Sequence, residues 1–220
     1  MLNPLVSMAD ASRQIQALAD WLAARLEGAA EPLPAARRAF QAALARVAGA
    51  DPATARPTAQ SSLPVLRHWP RALELVGDSA AAPVLPSLQA LAPALDWIQN
   101  PNYRANPPSA GFLENYGYAQ LAGPAHVPTL LETGTCAFGL LLLGPGLLYP
   151  SHRHPAVELY LPLTPGEWQR GPEPWRAVPP ATPIHHPSGL SHATRAGAGP
   201  LLALYLWQGG LATHARIENI

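Results

Sequence analysis

The hydrophobic pattern changes period about halfway along the chain. In the first half the apolar positions recur with helical spacing. Ile15, Leu18, Leu22 and Leu26 fall on one stripe with Trp21 beside it, which predicts a helix starting near Asp10 or Ser12 as N-cap. Pro32 and Pro34 end that stretch and open a second helix over about Ala35 to Ala48, with Phe40, Leu44 and Val47 on one face and Gly49 as its stop. "DPATARPTAQSS" reads as a loop. Two shorter helical pieces are expected near Leu63 to Val76 and Ser87 to Ile98, kinked or divided by Pro70 and Pro93. After residue 100 the runs shorten and alternate: "NYGYAQL", "VPTLLET", "CAFGLLLLG", "VELYLPL", "EWQR", "PWRAV", "PIHHP", "HATRA" and "PLLALYLW", each bounded by Gly or Pro. Many short strands at near-regular spacing predict an antiparallel sandwich or small barrel. The expected plan is therefore mainly β: a helical region over 1–100 packed as a layer on a β-barrel over 101–220.

Composition narrows the class. Of 220 residues, 48% are hydrophobic and 13% charged, which suits a compact globular chain. All 14 basic residues are arginine, the formal net charge is zero, and no basic cluster occurs, so neither nucleic acid nor a membrane is expected as a partner. No apolar run reaches the length of a membrane span. The opening "MLNPLVSMADASRQ" shows neither a basic leader nor a long apolar core, and a cytoplasmic location is expected. The single Cys136 reads as a small buried hydrophobe.

The candidate chemistry lies in "YPSHRHPAVELYLPL". His152, His154, Glu158 and Tyr160 share parity. An extended segment would project them to one side, with Pro155 as the point of doubt for that geometry. Two imidazoles and a carboxylate are ligands suited to Fe, Mn, Zn, Ni or Co. A fourth ligand is expected from elsewhere, and His192, after the Pro187–Gly189 turn, is the best candidate. His185 and His186 are read as groups behind the ligands or on the surface, with one of them lining the pocket as the alternative, His126 and His214 as loop or strand-end histidines, His68 as structural, and Arg195 as part of an outward ion pair.

These residues resemble the cupin signature. Gly146, His152, His154 and Glu158 follow its first motif, with Gly166 closing it one residue late. Pro187, Gly189 and His192 follow its second, where Ala181 and Ala196 stand in place of the usual glycine and asparagine. With Tyr160 two residues after Glu158, Trp168, Trp175, "HHPSGLSHATR" and "PLLALYLWQGG", the stretch from about 100 to 215 resembles the cupin-type dimethylsulfoniopropionate (DMSP) lyases. The resemblance implies a cupin barrel binding one divalent transition metal through His152, His154, Glu158 and His192. It implies β-elimination of DMSP, a small-molecule substrate, to dimethyl sulfide and acrylate, with Tyr160 as general base. The sulfonium needs aromatic walls, for which Tyr116, Tyr118, Tyr149, Trp168, Trp175, Tyr205 and Trp207 are candidates. An Fe dioxygenase, a sugar isomerase and a non-enzymatic binding cupin remain open on the ligand motif alone. So does the task of the helical layer, which either covers the barrel mouth or builds a homodimer.

Overall fold

The structure, a computed structural model, describes residues 6–47, 51–52 and 62–218. Five α-helices occur among them: α1 (Met8–Leu26), α2 (Pro34–Val47), α3 (Trp69–Gly77), α4 (Leu85–Leu91) and α5 (Pro101–Ala105). The strands are β1 (Asp51–Pro52), β2 (Trp97–Ile98), β3 (Tyr116–Gly123), β4 (Thr129–Glu132), β5 (Ala137–Leu143), β6 (Leu148–Arg153), β7 (Val157–Pro162), β8 (Gly166–Arg170), β9 (Arg176–Val178), β10 (Ile184–His186), β11 (His192–Ala196), β12 (Leu201–Gln208) and β13 (Arg216–Ile217). They form two sheets. The larger runs β1-β4-β3-β5-β12-β7-β10, with β2 also on β3; the smaller runs β13-β6-β11-β8-β9. All pairings are antiparallel except β3 with β4. Consecutive strands from β6 to β8 cross between the sheets, which closes the cupin barrel.

The larger sheet is covered on both faces. Leu140, Leu142, Leu159, Leu161, Leu202, Leu204 and Leu206 point outward into one core with Ile15, Leu18 and Leu22 of α1, Phe40 and Leu44 of α2, and Leu88 of α4. Their neighbours Leu141, Leu143, Tyr160, Leu201, Ala203 and Tyr205 point inward into a second core shared with Tyr149 and Trp168 of the smaller sheet. This explains the unbroken "AFGLLLL" of β5: every residue is buried because each face has a partner. At about 1.5–3 kcal/mol per buried leucine, the seven outward leucines contribute on the order of 10 kcal/mol. That equals the net stability of a typical domain, so the helices are integral to the fold. They lie on the flank of the barrel. Only the turn at Asn100, which opens α5, reaches the mouth.

Several boundaries differ from the sequence-based expectation. The N-cap of α1 is Ser7, whose hydroxyl accepts from the Asp10 amide at 3.1 Å; Asp10 is three residues further in and shares a hydrogen bond with the Ser7 hydroxyl. Pro70 and Pro93 sit in the first turns of short helices and begin them rather than kinking them, because a first-turn residue has no intrahelical acceptor for its N–H. Trp97 and Ile98 leave the expected helix and pair with β3. The expected stop at Ala48 and Gly49, the loop residues 53–61 and residues 1–5 lie outside the described residues.

One departure from the cupin pattern has a local cost. Ala181 adopts φ +65, the left-handed region that the motif glycine favours, while its amide donates to the Pro162 carbonyl at 2.8 Å. An alanine there costs about 1–2 kcal/mol, partly offset by the chain entropy that a glycine would lose on folding. Ala181→Gly is expected to stabilise the protein by about 0.5–1 kcal/mol, read as a rise of about 1–4 °C in thermal midpoint. An unchanged or lower midpoint counts against strain at this turn.

Candidate metal centre and aromatic pocket

The four expected ligands converge, but not along one extended strand. The chain turns at Pro155 and Ala156, and the ligands come from both sheets. His152 on β6 lies directly opposite His192 on β11 in the smaller sheet. Glu158 lies on β7 in the larger sheet, flanked in register by His186 on β10 and Trp207 on β12. His154 occupies the crossing between β6 and β7. Gly189, at φ +73, donates its amide to the His154 carbonyl at 3.0 Å, and the Ser188 hydroxyl donates to the Pro155 carbonyl at 2.6 Å. The two motifs therefore brace each other through their turns.

The side chains are prepared to give lone pairs inward. The Nδ1 atoms of His152, His154 and His192 lie 2.9, 3.1 and 2.9 Å from the carbonyls of Pro150, Ala156 and Leu190. A carbonyl only accepts, so each Nδ1 carries a proton, and in the neutral tautomer each Nε2 keeps a lone pair. One donor atom from each of the three imidazoles lies within 4.8 Å of the others, and the same holds for Glu158, His186 and His192. Glu158 Oε2 is 3.0 Å from His192 Nε2 and 3.4 Å from His154 Nε2. Donors on a tetrahedral ion with bonds of about 2.1 Å are about 3.4 Å apart, close to these two separations, while His152 and Glu158 fall in different donor groups. The Nε2 atoms of His154 and His192 are buried without a hydrogen-bond partner. Orphaned buried lone pairs are costly, and a cation satisfies them. Burial, reinforced by neighbouring His192, holds the His152 imidazole well below its ordinary value, hence neutral. Burial alone would raise Glu158, but the imidazoles of His154, His186 and His192 reverse this, and the carboxyl is held well below the usual range. Neutral imidazoles and an ionised carboxylate are the forms that bind metal.

Beside this cluster opens a pocket of about 610 Å³, counting the solvent at its mouth. Glu158 and Tyr160 form part of its wall, and Tyr116, Tyr118, Tyr149, Tyr205 and Trp207 supply its aromatic faces. No Arg or Lys lines it among the described residues. Tyr205 fits because position 139 is glycine: a Cβ there would stand 2.6 Å from the Tyr205 hydroxyl. The Tyr149 ring stacks on His152 at 3.8 Å, and its hydroxyl meets that of Tyr103 at 2.8 Å. Burial and then the Glu158 carboxylate push the Tyr160 phenol well above its ordinary value.

Two of the expected aromatic contacts lie elsewhere. Trp168 is buried, but its ring folds over Gly166 within the inner core and does not line the pocket. Trp175 precedes β9 and lies under the Arg195 guanidinium, 4.5 Å from carbon to ring centroid; Arg195 in turn holds Glu167 at 2.6 and 3.1 Å. Both tryptophans serve the smaller sheet at positions that do not face the cluster. Trp207 does more than line a wall. Its indole N–H donates to Glu158 Oε1 at 2.5 Å, and its ring stacks on His154 at 4.0 Å. For His186 the sequence left a place behind the ligands or on the surface open, and for His214 it gave only a loop or strand end. His186 is fully buried with Nδ1 3.0 Å from Glu158 Oε2, and His214 lines the pocket. Only strand register, invisible in one sequence, puts His186 opposite Glu158. Cys136 is buried, as expected.

A barrel that gathers an HxH-x3-E motif and a PxGxxH motif has the plan of a cupin, with buried donor groups that could hold a metal ion. The model of the dimethylsulfoniopropionate lyase family matches residues 35–203. The chain belongs to that family, and the match takes in part of the helical half as well as every residue of the cluster. Over 69 residues it is 45% identical to dimethylsulfoniopropionate lyase DddQ of Ruegeria pomeroyi; this segment covers 31% of the chain and 34% of that relative. The solved structure of DMSP lyase DddQ from the same species superposes with a TM-score of 0.62 at 26% identity, covering 81% of this chain and 92% of that one. A chain from the crystal structures of the DMSP lyases RdDddP and RnDddQII gives 0.69 at 25% identity, covering 97% and 100%. Among the described residues no helix is long and apolar enough to cross a membrane.

Proposed function

We propose that the protein cleaves DMSP by β-elimination, with Tyr160 as the base and His152, His154, Glu158 and His192 as holders of one divalent transition metal. The observation that carries this reading is the placement of a buried phenol, Tyr160, two residues after Glu158, on the wall of an aromatic pocket without Arg or Lys. The named activities of the relatives support it.

DMSP is a zwitterion with a carboxylate at one end and a dimethylsulfonium at the other. A wall carrying Lys or Arg would repel the sulfonium. Tyrosine and tryptophan faces attract it, each by about 0.5–2 kcal/mol depending on desolvation. With no guanidinium lining the pocket, a cation held by the four ligands would be the partner for that carboxylate. The proton on the carbon next to the carboxylate is weakly acidic and calls for a strong base. A phenolate, with an ordinary pKa of about 10, is stronger than a carboxylate or an imidazole, and the burial of Tyr160 makes it stronger still. Tyr160 takes the proton, the C–H electron pair becomes the new C=C bond, and the C–S bond breaks with its pair leaving on sulfur. Acrylate and dimethyl sulfide result, and the proton on Tyr160 returns to solvent. A cation held by the four ligands supplies the positive charge that stabilises the carboxylate-conjugated carbanion character of the transition state and favours the Tyr160 phenolate.

Elimination consumes no oxygen. Metal-loaded protein incubated anaerobically with DMSP is expected to yield dimethyl sulfide and acrylate in equal amounts, read by headspace gas chromatography and by liquid chromatography of the acid. A requirement for oxygen, or the absence of acrylate, rules the reading out and returns the choice to the oxygenase or binding alternatives.

A further inference from the structure

We infer that His186 is a positioning residue that aims Glu158, and with it His192, at the metal; the inference rests on the metal-site reading above. Glu158 is fully buried, so a carboxylate there needs its lone pairs satisfied in a fixed arrangement. Trp207 holds Oε1. On the other side, His186 Nδ1 lies 3.0 Å from Oε2. His186 and Glu158 are direct cross-strand partners between β10 and β7, and Trp207 is the partner on the opposite flank, so Glu158 is clamped from both neighbouring strands. A carboxylate oxygen has two lone pairs. Oε2 accepts the Nδ1–H of His186 with one, and the other faces His192 Nε2 at 3.0 Å and His154 Nε2 at 3.4 Å.

His186 also backs a ligand directly. Its ring lies on that of His192, with centroids 4.0 Å apart and planes 20° from parallel. One residue thus limits the rotation of Glu158 by a hydrogen bond and the tilt of His192 by stacking. It is distinct from the four expected ligands. The same closeness that places it in a cluster with Glu158 and His192 is explained by the hydrogen bond, with Nδ1, not Nε2, turned to the carboxylate.

The test compares His186→Leu, which fills the space without a donor, with His186→Asn, whose amide N–H takes the place of Nδ1–H. Metal affinity is measured by chelator competition, and the coordination sphere by the visible spectrum of the Co(II)-loaded protein. His186→Leu is expected to lose about 10–100-fold in affinity, as is usual when a partner of a ligand is removed. His186→Asn is expected to recover most of this with a parent-like Co(II) spectrum. In a Glu158→Gln background, His186→Leu is expected to cost much less, since its main target is gone. Affinity within twofold of the parent in His186→Leu overturns the proposal. So does an Asn variant as weak as Leu with an altered Co(II) spectrum, which makes His186 a ligand instead. Should His186→Leu not fold, His186→Met replaces it in the same comparison. Parent protein that binds no metal rejects the metal-site reading itself, a separate result.

Discussion

His192→Ala is expected to lower kcat/KM for DMSP by about a thousandfold or more and to abolish tight metal binding. The size follows from the role. Stabilising a developing negative charge by a metal contributes several kcal/mol, and about 4 kcal/mol corresponds to a thousandfold. His192 is the member of the cluster common to both donor groups, facing His152 across the strand pair and Glu158 across the barrel at 3.0 Å. Its loss removes the donor shared by both groups and leaves only the 3.4 Å approach of His154 to Glu158 joining them. Stripping the parent protein with a chelator is expected to reproduce the loss, and adding back a divalent ion to reverse it. Full turnover by stripped protein, confirmed metal-free by elemental analysis, removes the cation from the chemistry.

The second large effect concerns the base alone. Tyr160→Phe keeps the ring, the packing and all four ligands, and removes one hydroxyl. General-base catalysis contributes about 10²–10⁴-fold, so kcat is expected to fall within that range while metal affinity stays near that of the parent. The pH profile makes the test specific. Below the pKa of the phenol the phenolate fraction grows tenfold per pH unit; burial and Glu158 raise that pKa, and a bound cation would oppose the shift. The parent's kcat/KM is therefore expected to rise with pH through the neutral and mildly alkaline range. The residual rate of Tyr160→Phe is expected to lack that rise. A variant that loses metal together with activity assigns Tyr160 to the coordination sphere instead.

How much of this was legible in the sequence varies residue by residue. His152, His154, Glu158 and His192 were readable because their spacing is bound to two turns, and those turns are written in local residues such as Pro187 and Gly189. The helix-then-strand division was readable because period 3.6 and period 2 leave different marks. Trp168 was misplaced because an aromatic residue in a strand looks the same whether it faces a ligand or a core; Gly166 beside it, and not the pocket, receives its ring. His186 was left between a place behind the ligands and the surface, because its position opposite Glu158 depends on cross-strand register, bulges and turn lengths that one chain does not disclose. The flank position of the helices was hidden for a similar reason. The run "AFGLLLL" shows that both faces of β5 are buried, but not what covers them.

That two-sided burial gives α1, α2 and α4 an influence over a pocket they do not line. On β7, Glu158 and Tyr160 alternate with Leu159 and Leu161, which rest on the outer core. The strand is a plank fixed by its nails on one side and carrying its instruments on the other. Trimming a methylene among the helices shifts the plank, and displacements of about 1 Å at reacting atoms are worth factors of about a hundred in rate. Substitutions among the outer leucines and their helical neighbours are thus expected to lower turnover as well as stability.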